Sequence, residues 1–247
     1  MKTVSLAIFL TLAVILLHAQ EQQPPHWTYE GEHGPEHWGD LSPDFSACKT
    51  GREQSPINIT KAEPSNLPAI QFDYQPATLK VIDNGHTVQV NYPVGSSIKV
   101  GDKTYQLVQF HFHHPSEELI NGKPHDLVIH LVHQDSEGHK AVVAVLASTG
   151  PSNPTLKAVL DHIPQSKAQE VDTGAAINAA DLLPSNHAYY TFPGSLTTPP
   201  CTEGVTWFVL KTPITLAPSD LALFTRLYPH NARPAQPLNG RTVRSSE

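Results

Sequence analysis

The chain has 247 residues, a formal net charge of −7 at pH 7 and 39% hydrophobic residues, which are enough to form a buried core. This length suits one large domain or two small ones, and the acidic balance argues against nucleic acid as a partner. Fifteen histidines stand out, because imidazole binds metals and transfers protons near neutral pH.

The first predicted element is a secretory signal peptide over residues 1–20. One basic residue precedes a mainly apolar run over 4–17, which is typical of such a signal and too short for a transmembrane span of roughly 20 residues. Cleavage near Ala19 or Gln20 would leave 21–247 as a protein that is periplasmic or secreted and soluble. A retained membrane anchor is the alternative.

Strand-like segments dominate the remaining chain. They are rich in β-branched and aromatic residues and are separated by turn sequences such as Asp83-Asn84-Gly85, Asn121-Gly122 and Glu137-Gly138. The predicted strands are 87–92, 105–113, 127–133, 141–147 and 205–210. No repeat or interdomain linker interrupts them, so the sequence predicts a single, mainly β domain.

Two short helices are predicted at the periphery of this domain. The first covers 154–162, with Asn153 as its N-terminal cap, and the second covers 218–227. In the second helix, the spacing puts Leu221, Phe224 and Leu227 on one face.

The most informative stretch is Gln109-Phe110-His111-Phe112-His113. Alternation along a strand puts His111 and His113 on one face and both phenylalanines on the other. The segment 127–133 is predicted as the neighbouring antiparallel strand, which supplies His130 as a third ligand. Three neutral imidazoles with a vacant fourth position are typical of a catalytic zinc site and not of a closed structural one.

Other strand histidines are expected to be ordinary buried or exposed side chains. His114 and His133 alternate onto faces opposite those of the ligands, so we exclude both from the metal site.

Two cysteines, Cys48 and Cys201, remain after signal cleavage. An even number in an exported chain favours one disulfide over two free buried thiols. Closing so long a loop would remove roughly 5 kcal/mol of conformational freedom from the unfolded state.

Many motifs follow one another along the chain: Tyr29, Gly34-Pro35-Glu36-His37-Trp38, Gln54-Ser55-Pro56-Ile57-Asn58-Ile59, Asn84-Gly85-His86, 109–113, Pro115-Ser116-Glu117, His130-Leu131-Val132-His133 and Gly194-Ser195-Leu196-Thr197-Thr198-Pro199-Pro200. Their identity and order, from about Trp27 to Arg241, constitute a resemblance to the alpha-class carbonic anhydrases of the exported bacterial branch. It implies a central twisted, mostly antiparallel sheet, short peripheral helices and a conical zinc cleft. It also supports the pairing of Cys48 with Cys201.

The resemblance implies reversible hydration of carbon dioxide to bicarbonate and a proton, with one Zn2+ per chain on His111, His113 and His130. Carbonic anhydrases as a class are the standard example of zinc lowering the pKa of bound water to about 7, so hydroxide is the nucleophile at neutral pH. By the same resemblance, Thr197 donates a hydrogen bond to Glu117 and accepts one from the nucleophile, which orients it.

The substrate pocket follows from the same family match. Carbon dioxide has no net dipole and needs apolar walls, while the Thr197 amide would bind a substrate oxygen and Thr198 would contact bicarbonate. The implied apolar walls are Val132, Val142, Leu196, Val205 and Trp207.

A proton path is implied as well. His86 matches the residue that carries the proton to buffer. Tyr29, Asn84 and Gln89 match the polar residues that order the connecting waters. Taken from the residues alone, His86 is equally well explained as an exposed turn residue.

The residues expected to accept hydrogen bonds from the metal-binding histidines match the family in one case and differ from it in another. Gln109 matches the residue that orients His111. Two residues before His130, where the family usually carries a glutamate that accepts from this ligand, the chain has Val128. Loss of such a partner typically costs 10 to 100-fold in metal affinity or activity, so we expect weaker zinc retention unless another acceptor substitutes.

Two other function classes remain as alternatives. A metal-free binding module on the same fold is disfavoured because all three ligands are present, and a zinc esterase is expected only as a side activity. The family further implies inhibition by sulfonamides and small anions, and it allows a homodimer.

Overall fold

The computed structural model describes residues 25–247, so the predicted signal segment lies outside the described residues. Within these described residues, fifteen strands make up most of the regular secondary structure. They are β1 (Asn58–Ile59), β2 (Glu63–Pro64), β3 (Ile70–Asp73), β4 (Ala77–Asp83), β5 (Val88–Asn91), β6 (Ser97–Val100), β7 (Lys103–His113), β8 (Leu119–Ile120), β9 (Leu127–Gln134), β10 (Lys140–Thr149), β11 (Glu170–Ile177), β12 (Tyr189–Ser195), β13 (Glu203–Leu210), β14 (Ile214–Leu216) and β15 (Arg244–Ser245).

Thirteen of these strands form one large sheet, and β1 and β8 pair separately. The main path through the sheet runs β11-β4-β5-β7-β9-β10-β13-β12-β15-β2. Most neighbours are antiparallel, with parallel pairs at β10–β13, β10–β14 and β15–β2. The predicted fold class, a mainly β protein with a mostly antiparallel central sheet, is confirmed. The assignment of 21–247 to one domain stays a prediction.

All five predicted strands are present as β5, β7, β9, β10 and β13, each within a few residues of the expected bounds. The sequence reading missed several others, most notably β4, β11 and β12. Strand β4 has a regular alternation of buried and less buried side chains that could have revealed it. By contrast, β11 contains a register irregularity between Asp172 and Ala176, which obscures its pattern.

The helices are short, as predicted. They are α1 (Trp38–Leu41), α2 (Ala47–Thr50), α3 (Pro154–Asp161) and α4 (Pro218–Thr225), with 3-10 turns at Gly31–His33, Pro43–Phe45 and Ala179–Leu182. Asn153 caps α3 by accepting from two backbone amides, which confirms the predicted cap. The predicted apolar face of the second helix is wrong at Leu227, which is 44% exposed and lies two residues beyond the end of α4. Among the described residues, no helix is long and apolar enough to cross a membrane.

A β-bulge in β7 decides which side of the sheet the two histidines occupy. Tyr105 and Leu107 face the larger apolar cluster, and beyond the register shift Phe110 and Phe112 face it. The extra residue at this point reverses the alternation. Gln109, His111 and His113 therefore point away from the larger core.

Two apolar clusters cover the two faces of the sheet. The larger lies between the sheet and helices α3 and α4. The smaller includes Ile57, Val128, Val142, Phe192 and Trp207. The polar groups that flank the three histidines lie on the side of this smaller cluster, so the fold itself separates a polar site from the main core.

The predicted disulfide joins Cys48 to Cys201, with Cα atoms 5.0 Å apart and 153 residues between them in sequence. It connects the short helix α2 to the loop after β12. Two segments that are far apart in sequence are therefore linked covalently beside the motif that contains Thr197.

Candidate metal centre

Strand pairing brings His111, His113 and His130 together. His111 lies opposite His130 across β7 and β9, and His113 lies opposite Val128. One ring nitrogen from each histidine lies within 4.8 Å of the others. A tetrahedral zinc ion needs such nitrogens about 3.4 Å apart, so small side-chain adjustments suffice to bind a metal ion.

Each of the three rings has its other nitrogen engaged. His111 Nδ1 lies 2.9 Å from Gln109 Oε1, which agrees with the predicted partner, and His113 Nδ1 lies 2.7 Å from the Asn231 carbonyl oxygen. His130 Nε2 lies 3.1 Å from Glu118 Oε1. Metal-binding histidines almost always donate their second N–H in this way, so the three remaining nitrogens are free to bind a cation.

A buried nitrogen without a partner also indicates a metal. His113 is 1% exposed, and its Nε2 has no hydrogen-bond partner among the described residues. Such an atom is costly to bury unless a ligand satisfies it. Burial lowers the pKa of His111 to about 3 and that of His113 well below the usual value, so both rings are neutral and able to bind a metal at pH 7.

His130 behaves differently from the other two ligands. Burial lowers its pKa, but the charges of Glu118 and Glu117 and the hydrogen bond to Glu118 outweigh that effect, so the pKa is raised overall. The sequence reading did not single out Glu118. The only available signal was a second acidic residue directly after Glu117, at a site where Val128 left an acceptor missing.

Glu117 lies beside the triad and is 1% exposed. Its Oε1 accepts from the Arg233 backbone N–H at 2.8 Å, while its Oε2 is buried with no hydrogen-bond partner among residues 25–247. Burial raises the pKa of Glu117 to about 7, although His130, the Arg233 amide and the nearby Thr197 hydroxyl each lower it. One carboxylate oxygen is thus fixed and the other is available close to Thr197.

Arg233 connects several parts of the site that are distant in sequence. Its guanidinium donates to Gln54 Oε1 and the Ser55 carbonyl at 2.8 Å each and to the Cys48 carbonyl at 3.0 Å. Burial lowers its pKa to about 10, against the opposing charge of Glu117, so it stays charged at pH 7. No local sequence pattern marked this arginine, because all its partners come from far along the chain.

The loop that contains Thr197 and Thr198 is held at both ends. Ser195 exchanges two hydrogen bonds with Ser55, at 2.9 and 3.1 Å, and Cys201 N donates to Thr198 O at 2.8 Å. Gly194 is required here, because a Cβ would collide with the Ser55 hydroxyl and the Trp207 ring. Thr197 is buried and Thr198 is partly exposed.

The predicted apolar pocket residues belong to one cluster beside the triad. Val142, Val205 and Trp207 are buried, whereas Val132 and Leu196 pack against them and remain partly exposed. The Trp207 ring lies edge-on to His130, with ring centroids 4.9 Å apart. The five residues predicted as pocket walls therefore lie together beside His130, and their role in binding substrate stays a prediction.

His86 and Tyr29 lie in an aromatic group formed with the N-terminal segment. The His86 ring stacks on Trp27 at 3.7 Å, and Tyr29 contacts Trp27 and Trp38 edge-on. Burial lowers the pKa of His86, and the neighbouring His26 and Lys167 lower it further. Burial and the charge of Glu117 raise the pKa of Tyr29 well above its usual value.

Asn84 and Gln89 belong to a chain of hydrogen-bonded amides. Asn84 Nδ2 donates to Gln89 Oε1 at 3.3 Å, Gln89 Nε2 to Asn91 Oδ1 at 2.7 Å, and Asn91 Nδ2 to Glu170 Oε2 at 2.5 Å. An ionised carboxylate only accepts. Glu170 therefore sets the direction of all three amides, and neither Asn91 nor Glu170 was singled out from the sequence.

Comparison with known proteins gives a consistent result. Residues 33–247 match the family model described as eukaryotic-type carbonic anhydrase. A carbonic anhydrase of Nostoc sp. is 45% identical over 224 residues, covering 88% of this chain and 85% of that protein. The alpha-carbonic anhydrase of Thermovibrio ammonificans in complex with the inhibitor sulfanilamide superposes with a TM-score of 0.87 at 41% identity, covering 90% of this chain and 99% of that one.

A relative with another name has the same fold. A crystal structure of dioscorin complexed with ascorbate superposes with a TM-score of 0.84 at 33% identity, over 89% of this chain and 97% of that one. Overall likeness therefore does not by itself specify chemistry, and the function depends on the site residues.

Proposed function

Because the chain belongs to the alpha carbonic anhydrases, the carbonate dehydratases, we propose that it hydrates carbon dioxide reversibly by means of one Zn2+ on His111, His113 and His130. The observation that carries the proposal is the convergence of three imidazoles whose outer nitrogens are all engaged. Three neutral nitrogen ligands are the donor set of a catalytic zinc site.

When bound, zinc supplies a hydroxide nucleophile near neutral pH, because it lowers the pKa of water to about 7 in carbonic anhydrases. The protein's contribution is to orient that nucleophile. Glu117 Oε1 is fixed by the Arg233 amide, and Glu117 Oε2 has no hydrogen-bond partner within the described part of the chain. We expect the Thr197 hydroxyl to donate to Glu117 Oε2, which leaves the Thr197 oxygen able only to accept from the nucleophile.

The substrate is bound beside the triad by apolar contacts and by the Thr197 loop. Val132, Val142, Leu196, Val205 and Trp207 offer carbon dioxide a surface without charge. The backbone amide of Thr197 binds a substrate oxygen and Thr198 contacts bicarbonate. These roles are supported by the position of the loop, which the disulfide and Ser55 hold in place.

Proton release is assigned to His86, with Tyr29, Asn84 and Gln89 ordering the intervening waters. The pKa of His86 is lowered by burial, so the ring is mainly neutral at pH 7 and ready to accept a proton. Its stacking on Trp27 leaves it half-buried near the N-terminal segment. The amide chain ending at Glu170 supports a fixed orientation for Asn84 and Gln89.

Two further properties follow from this proposal. Sulfonamides and small anions should inhibit by binding at the metal, as supported by the relative solved with sulfanilamide. Export is also proposed, with removal of a signal near residue 20. N-terminal sequencing of the mature protein tests export, because an intact Met1 would contradict it.

The experiment is stopped-flow carbon dioxide hydration on protein of measured zinc content, for the wild type and for His111→Ala. We expect fast hydration at about one zinc per chain, inhibited by sulfanilamide, and loss of both zinc and rate in the variant. Stoichiometric zinc without hydration would overturn the proposal. Measuring ester hydrolysis on the same preparation tests whether that reaction is only a side activity.

A further inference from the structure

The choice of metal-binding atom on His130 depends on Glu118. His130 Nε2 lies 3.1 and 3.3 Å from the two carboxylate oxygens of Glu118. An ionised carboxylate can only accept, so the hydrogen of a neutral His130 ring is on Nε2 and Nδ1 keeps its lone pair. The Glu118 contact therefore selects both the tautomer and the nitrogen that is offered to the metal.

Glu118 has no other role that its contacts would explain. It is 0% exposed, and His130 is its only side-chain hydrogen-bond partner among the described residues. A charged carboxylate is costly to bury unless it is paired. A cation on His130 would provide the missing charge, since the imidazole transmits it to Glu118 through the hydrogen bond.

The strand position from which a carboxylate would otherwise reach His130 is apolar. Val128 lies two residues before His130, on the same face of β9, and packs in the smaller cluster with Val142 and Trp207. It offers no acceptor. The carboxylate comes instead from the segment between β7 and β8, directly after Glu117.

We propose that Glu118 is the positioning residue for the third metal ligand and takes the place of an acceptor that Val128 cannot provide. The inference rests on the proposed metal site. Two consecutive carboxylates thereby have different roles. Glu118 orients His130 through the ring nitrogen that does not bind the metal, while Glu117 faces Thr197. Weaker zinc retention is expected only if no other acceptor takes the place of the missing glutamate. Because Glu118 is such an acceptor, that expectation no longer applies.

The test measures zinc release to a chelator from fully loaded protein, for Glu118→Gln, Glu118→Val and the exchanged variant Glu118→Val/Val128→Glu. Glu137→Gln, at an exposed turn carboxylate, is the matched control. We expect release to accelerate roughly 10 to 100-fold in the single variants, with Gln less affected than Val because its amide oxygen can still accept. The exchanged variant should return towards the wild-type rate.

A second measurement does not depend on how the variants fold. Nitrogen-15 NMR of the zinc-loaded wild type should show His130 protonated at Nε2 and bound through Nδ1. Binding through Nε2, or single variants that release zinc as slowly as Glu137→Gln, would overturn the inference. A wild type that binds no zinc would overturn the proposed function itself, so the two failures are distinguishable.

Discussion

His130 and His133 are buried histidines three residues apart on β9, and they face opposite sides of the sheet. His130 contacts the carboxylate of Glu118, whereas His133 Nε2 lies 2.8 Å from the Tyr74 hydroxyl within the main core. Burial lowers the pKa of His133 to about 3, while the carboxylates near His130 reverse the effect of burial there. The hydrogen-bond partner of each imidazole, more than the burial of the ring, therefore determines the direction of its pKa shift.

The same contrast extends to the two faces of the sheet. The face with His130 concentrates buried charge in Glu117, Glu118 and Arg233, all 2% exposed or less. The opposite face is filled by the larger apolar cluster, where the paired Tyr74 and His133 are an exception. We expect changes on the first face to affect metal and catalysis, and changes on the second to affect stability.

The largest predicted difference in zinc binding and activity is between a variant that lacks His130 and one that lacks His133. His130→Ala should lower zinc affinity and hydration by more than the roughly 10 to 100-fold that follows loss of an outer partner. His133→Leu should retain zinc but lose about 1–3 kcal/mol of stability, because the buried Tyr74 hydroxyl loses its partner. Zinc analysis, stopped flow and urea unfolding measure both effects, and zinc loss in His133→Leu would remove the distinction.

The disulfide provides a second comparison of the two faces of the sheet, because its contacts lie on the face that contains the metal site. Cys201 N donates to Thr198 O, and the Cys48 carbonyl accepts from Arg233. Reduction should lower the free energy of unfolding by up to roughly 5 kcal/mol and slow hydration by loosening the Thr197 loop. Urea unfolding with and without reductant measures this, with Cys48→Ser/Cys201→Ser as the control that reductant should not affect.

The pH dependence of stability reports on His133 when the wild type is compared with His133→Leu. In the folded protein its pKa is about 3, against about 6.5 when unfolded. Between these values the unfolded state binds the extra proton, so stability falls as the pH falls through this window, by up to about 1.4 kcal/mol per pH unit. Urea unfolding of the wild type and His133→Leu at pH 7 and pH 5 should show a shallower decline in the variant. Equal declines would contradict the assignment.

The smallest effect is expected from Glu170, at the far end of the amide chain. Glu170→Gln should lower kcat by a few-fold in dilute buffer and leave kcat/KM unchanged, because an amide end group no longer fixes the direction of Asn91, Gln89 and Asn84. His86→Ala should show the same pattern more strongly, with recovery in imidazole buffer. A fall in kcat/KM for Glu170→Gln would indicate a structural role instead.

The sequence predicts those parts of the site that depend on local pattern. Alternation in 109–113 places His111 and His113 together, and a neighbouring strand brings in His130, as found. The bulge between Leu107 and Gln109 was not predicted, although it determines which face of the sheet these histidines occupy. Nothing local marks a bulge within a run of strand-forming residues.

The contacts that hold the site together were predictable only where a motif marked them. Gln109 beside His111 followed from the family pattern. Asn231 and Arg233 reach His113 and Glu117 from more than 110 residues away, so no spacing rule indicates them. Glu118 was partly predictable. Its neighbour Glu117 was identified from a motif, but the only sign of a second carboxylate was the missing acceptor at Val128.

Anomalous diffraction at the zinc edge, from crystals of the wild-type protein, tests the central claim most directly. We expect one peak about 2.0–2.1 Å from three nitrogens, namely His111 Nε2, His113 Nε2 and His130 Nδ1, with Glu118 still hydrogen-bonded to His130 Nε2. No peak at the triad, or a peak bound through His130 Nε2 with Glu118 displaced, would contradict it.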